Sequence, residues 1–491
     1  MSAHPVAGKT TATGTPPPSA RRLLLPLALA QFICSFAGSN MNVMIADISH
    51  DLHTTVKGVQ IVITLFLLIM AILMIPCSKL TDRWGRKRCF TWGLALYGVG
   101  TVMSAVAPGL GVLILGNSVF QGVGTALLIP PVYILATVWF SDLTSRAWAF
   151  GVISGAAGLG AAGGPLIGGL ITSGISWRAA FVFQALVIAA ILLLSRRLTD
   201  PLAADPTKPF DLIGAILSGV GMFSFIFGIL QAGTNNALLA IFLVIGAVFL
   251  VGFALFIRAR ERAGKEALLS LGLFRNRTCN LALVTQNIQW LVLMGVSFVV
   301  SVFLQEVRGY SAIKTGVIFT AATIGMIVPS VTAKRLAERF TQRALVIAGF
   351  VFTVAGIGLL LGLVVAWKNV WAFVPGLTLA GLGIGAMLTP SVNLVQSSFP
   401  EELQGEISGL SRSVSNLGSA LGTAIAGTIL VAAVSHGNAA YAWAMAAVAV
   451  FAILGLAAAL RLPSKVDHQT PTETAGSNGQ HNASVSREDS R

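Results

Sequence analysis

The chain has little charge. Asp, Glu, Lys and Arg make up 10% of its 491 residues, against about a quarter in an average soluble protein. A water-soluble fold of this length could not cover its surface with so few ionised groups. That argues against a soluble enzyme, a nucleic-acid binder and a disordered scaffold. Cysteine is scarce too: Cys34, Cys77, Cys89 and Cys279 are scattered, with no CxxC pair, so no disulfide framework is indicated. The six histidines, His4, His50, His53, His436, His468 and His481, fall in tails or short polar loops. Membrane haem and metal enzymes need His or carboxylate ligands inside the helical core. The expectation is therefore no enzyme, no catalytic residues, no metal and no cofactor. There is also no Walker A string, so ATP does not drive the protein directly.

What the chain has is apolar length. Hydrophobic residues make up 55% of it and the mean hydropathy is +0.82. A bilayer core needs roughly 20 apolar residues per crossing helix. Windows of that size give fourteen spans, near 23–46, 58–77, 89–107, 111–131, 147–172, 179–195, 212–230, 237–257, 280–304, 313–332, 344–366, 370–393, 408–433 and 439–461. Arg21-Arg22, the apolar run and Ala28-Leu29-Ala30 mimic a signal peptide. The apolar stretch continues well past Ala30, so it reads as the first span.

The net charge of +14 acquires meaning from its placement. With a cytoplasmic N-terminus, 27 of the 32 Lys and Arg fall in inner segments; Lys57, Arg178, Arg308, Lys314 and Lys368 remain outside. That asymmetry is the positive-inside pattern for an even number of spans with both termini in the cytoplasm. It replaces nucleic acid as the explanation of the basic excess. The tails, 1–20 and 463–491, are polar and expected to be disordered.

The sequence also repeats. Leu80-Thr81-Asp82-Arg83-Trp84 aligns with Leu336-Ala337-Glu338-Arg339-Phe340 at an offset of 256. At 258, Gly160, Gly164, Gly168 and Gly169 align with Gly418, Gly422, Ala426 and Gly427. The expected organisation is an N-terminal six-helix bundle (21–200), two additional helices with linkers (201–264) and a C-terminal six-helix bundle (265–462). Paired repeats around a central site are typical of secondary transporters.

Two motifs sharpen this. The loop Ser78-Lys-Leu-Thr-Asp82-Arg83-Trp-Gly85-Arg86-Lys-Arg88 has a tight-turn glycine and an acid beside basic neighbours. It resembles the G-x-L-x-D-R-x-G-R-K-x signature of the major facilitator superfamily, with Ser78 in place of the first Gly. The fifth span carries Gly160, Gly164 and Gly168 every four residues, a bare stripe for close helix packing. Together with Pro165 and Gly169 it resembles the antiporter motif of the superfamily's drug-exporting branches. Trp177-Arg178 with Phe181, Asp211-Leu-Ile-Gly214 and Gln305-Glu306-Val-Arg-Gly309-Tyr310-Ser311 are similar to segments of its fourteen-helix drug:proton antiporter group. The resemblance covers roughly 20–462. It implies an all-α polytopic fold with two pseudo-symmetric bundles. The gating loop would include Asp82, Arg83, Gly85 and Arg86.

Departures from that group are informative. Its first helix usually carries an Asp, where this chain has Ser39; its fourth usually carries an Arg, where this chain has Ser118, followed by Gln121-Gly122. Both charges are absent together, which leaves neither one buried and uncompensated. At 100° per residue, polar residues form stripes: Gln31, Ser35, Ser39 and Asn42; Asn117, Ser118 and Gln121, continued by Thr125; and Gln286 with Gln289, beside Trp290. These stripes either glue helices together or line a polar, uncharged substrate cavity. Asp47 and Glu306 remain as proton-coupling candidates, each read alternatively as a hydrated helix end. Arg412 either snorkels to the cytoplasm or faces substrate.

The resulting expectation is a monomeric plasma-membrane transporter exporting hydrophobic or amphipathic small molecules by alternating access, driven by proton antiport. Its partners would be the substrate, the bilayer and protons. A neutral or weakly anionic substrate suits the uncharged site better than a dication. The alternatives are a facilitator, a differently coupled metabolite transporter, and a non-transporting receptor or scaffold.

Overall fold

A backbone crossing lipid must satisfy its own hydrogen bonds, which leaves long apolar segments the helix as their only open-chain solution. The computed structural model describes residues 18–140, 143–196, 198, 200, 204–207, 210–366, 369–399, 404–432 and 438–463. The expected tails lie mostly outside the described residues. Every regular element among the described residues is helical.

The fourteen long elements are α1 (Pro18–Asn40, prolonged by a 3-10 turn Met41–Met44 and by Ile45–Asp51), α2 (Val56–Trp84), α3 (Arg86–Ala105), α4 (Leu110–Leu113, π-helical Ile114–Gln121, then Gly122–Trp139), α5 (Leu143–Gly174), α6 (Trp177–Ser195), α7 (Leu212–Leu230), α8 (Asn236–Arg262), α9 (Arg277–Val302, ending π-helical at Phe303–Val307), α10 (Ala312–Val331), α11 (Gln342–Ala366), α12 (Phe373–Gln396), α13 (Gln404–Ala432) and α14 (Asn438–Leu460). Among the described residues, thirteen helices are long and apolar enough to cross a membrane. The exception is α3, whose first turn carries Arg86, Lys87 and Arg88. It nonetheless packs between α4 and α6 as a member of the bundle.

Glycine decides how closely these helices approach. A Cβ on Gly160 would strike the Phe32 carbonyl of α1, and one on Gly418 would strike the Asn287 carbonyl of α9. The two glycines are offset by 258 and their targets by 255. Equivalent residues thus make equivalent contacts in the two bundles. Helices α1 and α5 pack closely in the first bundle, as α9 and α13 do in the second. Across the bundles, α5 lies along α10 and α2 lies along α13. The inserted pair is peripheral: α7 leans on α2 and α13, while α8 buries only Gly246 and Ile257. Asp211 anchors this pair. It caps α7 at Gly214 N (2.9 Å), accepts from Leu268 N (3.1 Å) and faces Arg260 (3.6 Å).

Candidate functional site

The molecule has two ends, here called the basic face (the α2–α3 loop) and the sparse face (the α1–α2 and α5–α6 loops). At the basic face Gly85 adopts φ +93°, a conformation that glycine tolerates without a Cβ penalty, and links α2 to α3. Asp82 accepts from Arg86 at 2.9 Å. Asp200, which sequence reasoning passed over, accepts from the backbone N–H of Arg86 (2.7 Å) and of Lys87 (3.3 Å) and so caps α3. Arg83 is half-buried beside them. Lys79 pairs with Glu406 at the start of α13, which joins the two bundles.

At the sparse face Trp177 Nε1 donates to Asp51 at 3.1 Å, and Arg178 pairs with the same carboxylate. Beneath them α1 meets α9. Asn42 Nδ2 donates to Ser297 Oγ at 3.2 Å, and Ser301 Oγ donates to Asn42 O at 2.6 Å. Asn42 and Ser297 are 255 residues apart, close to the repeat offset, so they are equivalent positions touching across the pseudo-twofold axis. Gln305 completes the contact. Its Oε1 accepts from Ala46 N at 3.0 Å and its Nε2 donates to Asn42 O at 2.8 Å. A continuous α-helix would pair those two backbone groups with each other; the 3-10 turn takes them out of the regular ladder, and the Gln305 amide engages both. Ser297 was legible in principle by adding 255 to Asn42, whereas Ser301 and Gln305 lie one and two turns further along α9 and are not reached from the first stripe.

The polar stripes are distributed among several seams. Gln31 is buried and bonds Ser35 (3.4 Å), which is half-buried. Ser39 reaches the Gly160 carbonyl of α5 at 3.5 Å. Ser118 donates to Val62 O of α2 (2.8 Å), and Gln121 donates to Ser104 of α3 (3.3 Å); Asn117 is buried nearby. Gln286 accepts from Ser411 of α13 and Gln289 from Ser391 of α12, both at 3.0 Å. Trp290 is half-buried. The stripes on α1 and α4 cross non-α turns, where 100° per residue does not hold: the 3-10 turn winds tighter and the π segment wider. Asp47 and Glu306 are both exposed at the sparse face. They are brought together there, with His50 in electrostatic reach of each.

The antiporter-like glycines divide between two partners. Gly160, Gly164 and Gly168 face Phe32, Ser39 and Asn40 of α1, whereas Gly169 faces Ala312 of α10. The Pro165 carbonyl in turn meets Gly316 of α10. The α5 face that meets α10 runs through Ser173, Gly169, Pro165 and Ala162, where Thr323 donates to Ala162 O at 2.7 Å. Continued by one-turn steps, the same face carries Gly158, Gly155 and Gly151, and there a Cβ would meet nothing within 4 Å. On α10 the matching residues Ile327 and Val331 are exposed. The seam is shut toward the sparse face and bare toward the basic face.

The family match agrees with this architecture. A family described as Major Facilitator Superfamily matches residues 27–275, 211–423 and 282–486. The chain is similar to a puromycin resistance protein of Streptomyces alboniger, 29% identical over 411 residues that cover 83% of this chain and 81% of the relative. It is also similar to the multidrug resistance protein Stp of Mycobacterium tuberculosis strain H37Rv, 27% identical over 412 residues (83% and 75%). A third relative is the tetracenomycin C resistance and export protein of Streptomyces glaucescens, 29% identical over 422 residues (83% and 76%). Among solved structures, the peptide transporter POT in complex with sulfate superposes with a TM-score of 0.65 at 16% identity, covering 90% of this chain and 95% of that one; this likeness speaks to the fold. The chain belongs to the major facilitator superfamily, and it is a multi-pass membrane transporter whose relatives are of the drug-efflux type.

Proposed function

We propose that this transporter exports hydrophobic or amphipathic small molecules from the cytoplasm by alternating access, using the groove between its two bundles. The basic face is the cytoplasmic one, with both termini inside the cell and the protein in the plasma membrane; the lopsided distribution of Lys and Arg supports this. One observation carries the reading above the others. The α1–α9 and α5–α10 contacts close the groove at the sparse face, while the same face of α5 lies bare toward the cytoplasm. That is the arrangement of a carrier resting open to the inside along its α5–α10 side, while Lys79–Glu406 still ties α2 to α13 at the basic face. Exchange with an outward-open state would break the Asn42–Ser297–Gln305 contacts and bring the bare glycines of α5 against α10. The resistance and export proteins it resembles support export of drug-like substrates.

Proton antiport is the leading drive, with Asp47 and Glu306 as the coupling acids beside His50. The second reading, uncoupled or differently coupled facilitation, is favoured by one specific observation: Ser39 and Ser118, which stand where the antiporter group this chain resembles usually has an acid and a base, both engage in helix packing. Proteoliposomes with an imposed pH gradient separate the two, using the compound that gives the largest thermal shift in a ligand screen. Proton antiport predicts faster export under an inward proton gradient and loss of that response in Asp47→Asn or Glu306→Gln. A proton-driven rate that survives both substitutions rules out coupling through either acid. A rate indifferent to the gradient in the unaltered protein establishes the second reading.

A further inference from the structure

Arg412 lies eight residues into α13, about 12 Å from its cytoplasmic end. No other Lys or Arg in the fourteen helices is so far from a helix terminus. A guanidinium keeps its charge at every physiological pH, and an unpaired charge at this depth is costly and functional by default. Arg412 has no carboxylate partner among the described residues. The one acid on its helix, Glu406, is held by Lys79. What Arg412 does touch is aromatic and on the opposite bundle: Nη2 donates to Tyr133 Oη, and the guanidinium carbon lies 4.9 Å from the Tyr133 ring centroid. Its remaining N–H groups have no protein partner among the described residues. The Tyr133 ring in turn lies 6.0 Å from Phe150 of α5, tilted by 33°. All three side chains are half-buried, and Phe150 adjoins Gly151, where the bare stretch of α5 begins.

These features define a site wall with one fixed cation, free N–H donors and two aromatic rings. We infer that Arg412 and Tyr133 form an anion-recognition point in the transport groove, selecting flat amphipathic anions that place an acidic group on Arg412 and an apolar body along Tyr133 and Phe150. The inference deepens the transporter reading and rests on it for the word substrate. It excludes cationic amphipaths as preferred cargo, because among the described residues no acid accompanies Arg412, Tyr133 and Phe150 to neutralise them. The Tyr133 contact positions the guanidinium and covers one of its faces, a cation–π arrangement that an incoming anion does not need to break.

A matched pair of dyes tests this. 8-Anilinonaphthalene-1-sulfonate and N-phenyl-1-naphthylamine share one ring skeleton and differ by the sulfonate. The full chain in nanodiscs is titrated with each, the signal of empty nanodiscs being subtracted. Arg412→Gln is expected to weaken the sulfonated dye by about tenfold or more, the scale of losing a charge-assisted hydrogen bond. It should leave the neutral dye within about twofold. Arg412→Lys, which keeps the charge but not the planar fork, should fall between. Arg412→Met preserves the length of the stem and carries the same expectation if the Gln variant fails to fold. Equal losses for both dyes, or no loss for either, would overturn the inference and mark Arg412 as a strut between the bundles. The readout is binding, so a protein that binds by this rule yet fails to transport refutes the transporter reading alone.

Discussion

Replacing Gln305 by Leu should release the sparse face. The Gln305 amide engages Ala46 N and Asn42 O, the two backbone groups left by the 3-10 turn in α1, at 3.0 and 2.8 Å. Leucine is close in volume but offers neither a donor nor an acceptor. With the face closed, Ala46 N would lose its partner and Asn42 O would keep only its bond from Ser301 Oγ; with it open, water would satisfy both. Two net hydrogen bonds at about 0.5–1.5 kcal/mol each disfavour the closed state by roughly 1–3 kcal/mol, or about 5- to 150-fold in the open-to-closed ratio. Spin labels at Ile175 and Val307, exposed at the sparse ends of α5 and α9, report that opening by pulsed electron resonance. The four native cysteines are free but buried, which favours selective labelling. The expected result is a distance distribution shifted to longer values in Gln305→Leu. An unchanged distribution in a protein that unfolds at the unaltered temperature would refute the reasoning, since the bonds would then carry no conformational bias.

Other substitutions should divide by what they touch. Gly160→Ala drives a methyl into the Phe32 carbonyl and should destabilise by about 1–3 kcal/mol, whereas Gly151→Ala, which meets open space, should leave thermal unfolding unchanged. Asp200→Ala removes the acceptor for two backbone N–H groups of α3. It should cost about 0.5–2 kcal/mol and raise hydrogen exchange at residues 86–88. Lys79→Glu alone should place two acids together across the bundles and favour separation of the helix ends at the basic face. The double variant Lys79→Glu with Glu406→Lys should restore the original label distances, because only the direction of the pair is reversed.

Much of the fold was readable because lipid imposes a length and a composition on each crossing segment. The spans, the repeat and the glycine stripe of α5 all follow from that constraint and reappear as helices and close contacts. The one span that fell below the apolar threshold, α3, begins with three basic residues that belong to the loop signature. The site was less legible. Helical-wheel reasoning places Ser118 and Gln121 on a single stripe, yet the π segment turns them toward α2 and α3. The residues that join the bundles, Ser297, Ser301 and Gln305, lie on a helix whose pairing with α1 no local pattern specifies. Tyr133 is an unremarked aromatic in an apolar run until α13 brings Arg412 over it. Charge scarcity could be counted from the sequence, but the meeting of Arg412 with Tyr133 required the packing of both bundles.

Under the proposed alternating access, the α1–α9 contact must open and close for transport. Asn42→Cys with Ser297→Cys places two thiols where the native side chains touch at 3.2 Å. Transport of the thermal-shift ligand is then measured in proteoliposomes under oxidising conditions and again after reduction. Arrest on disulfide formation and full recovery on reduction are expected. Equal transport by the cross-linked and reduced protein would contradict alternating access through this contact.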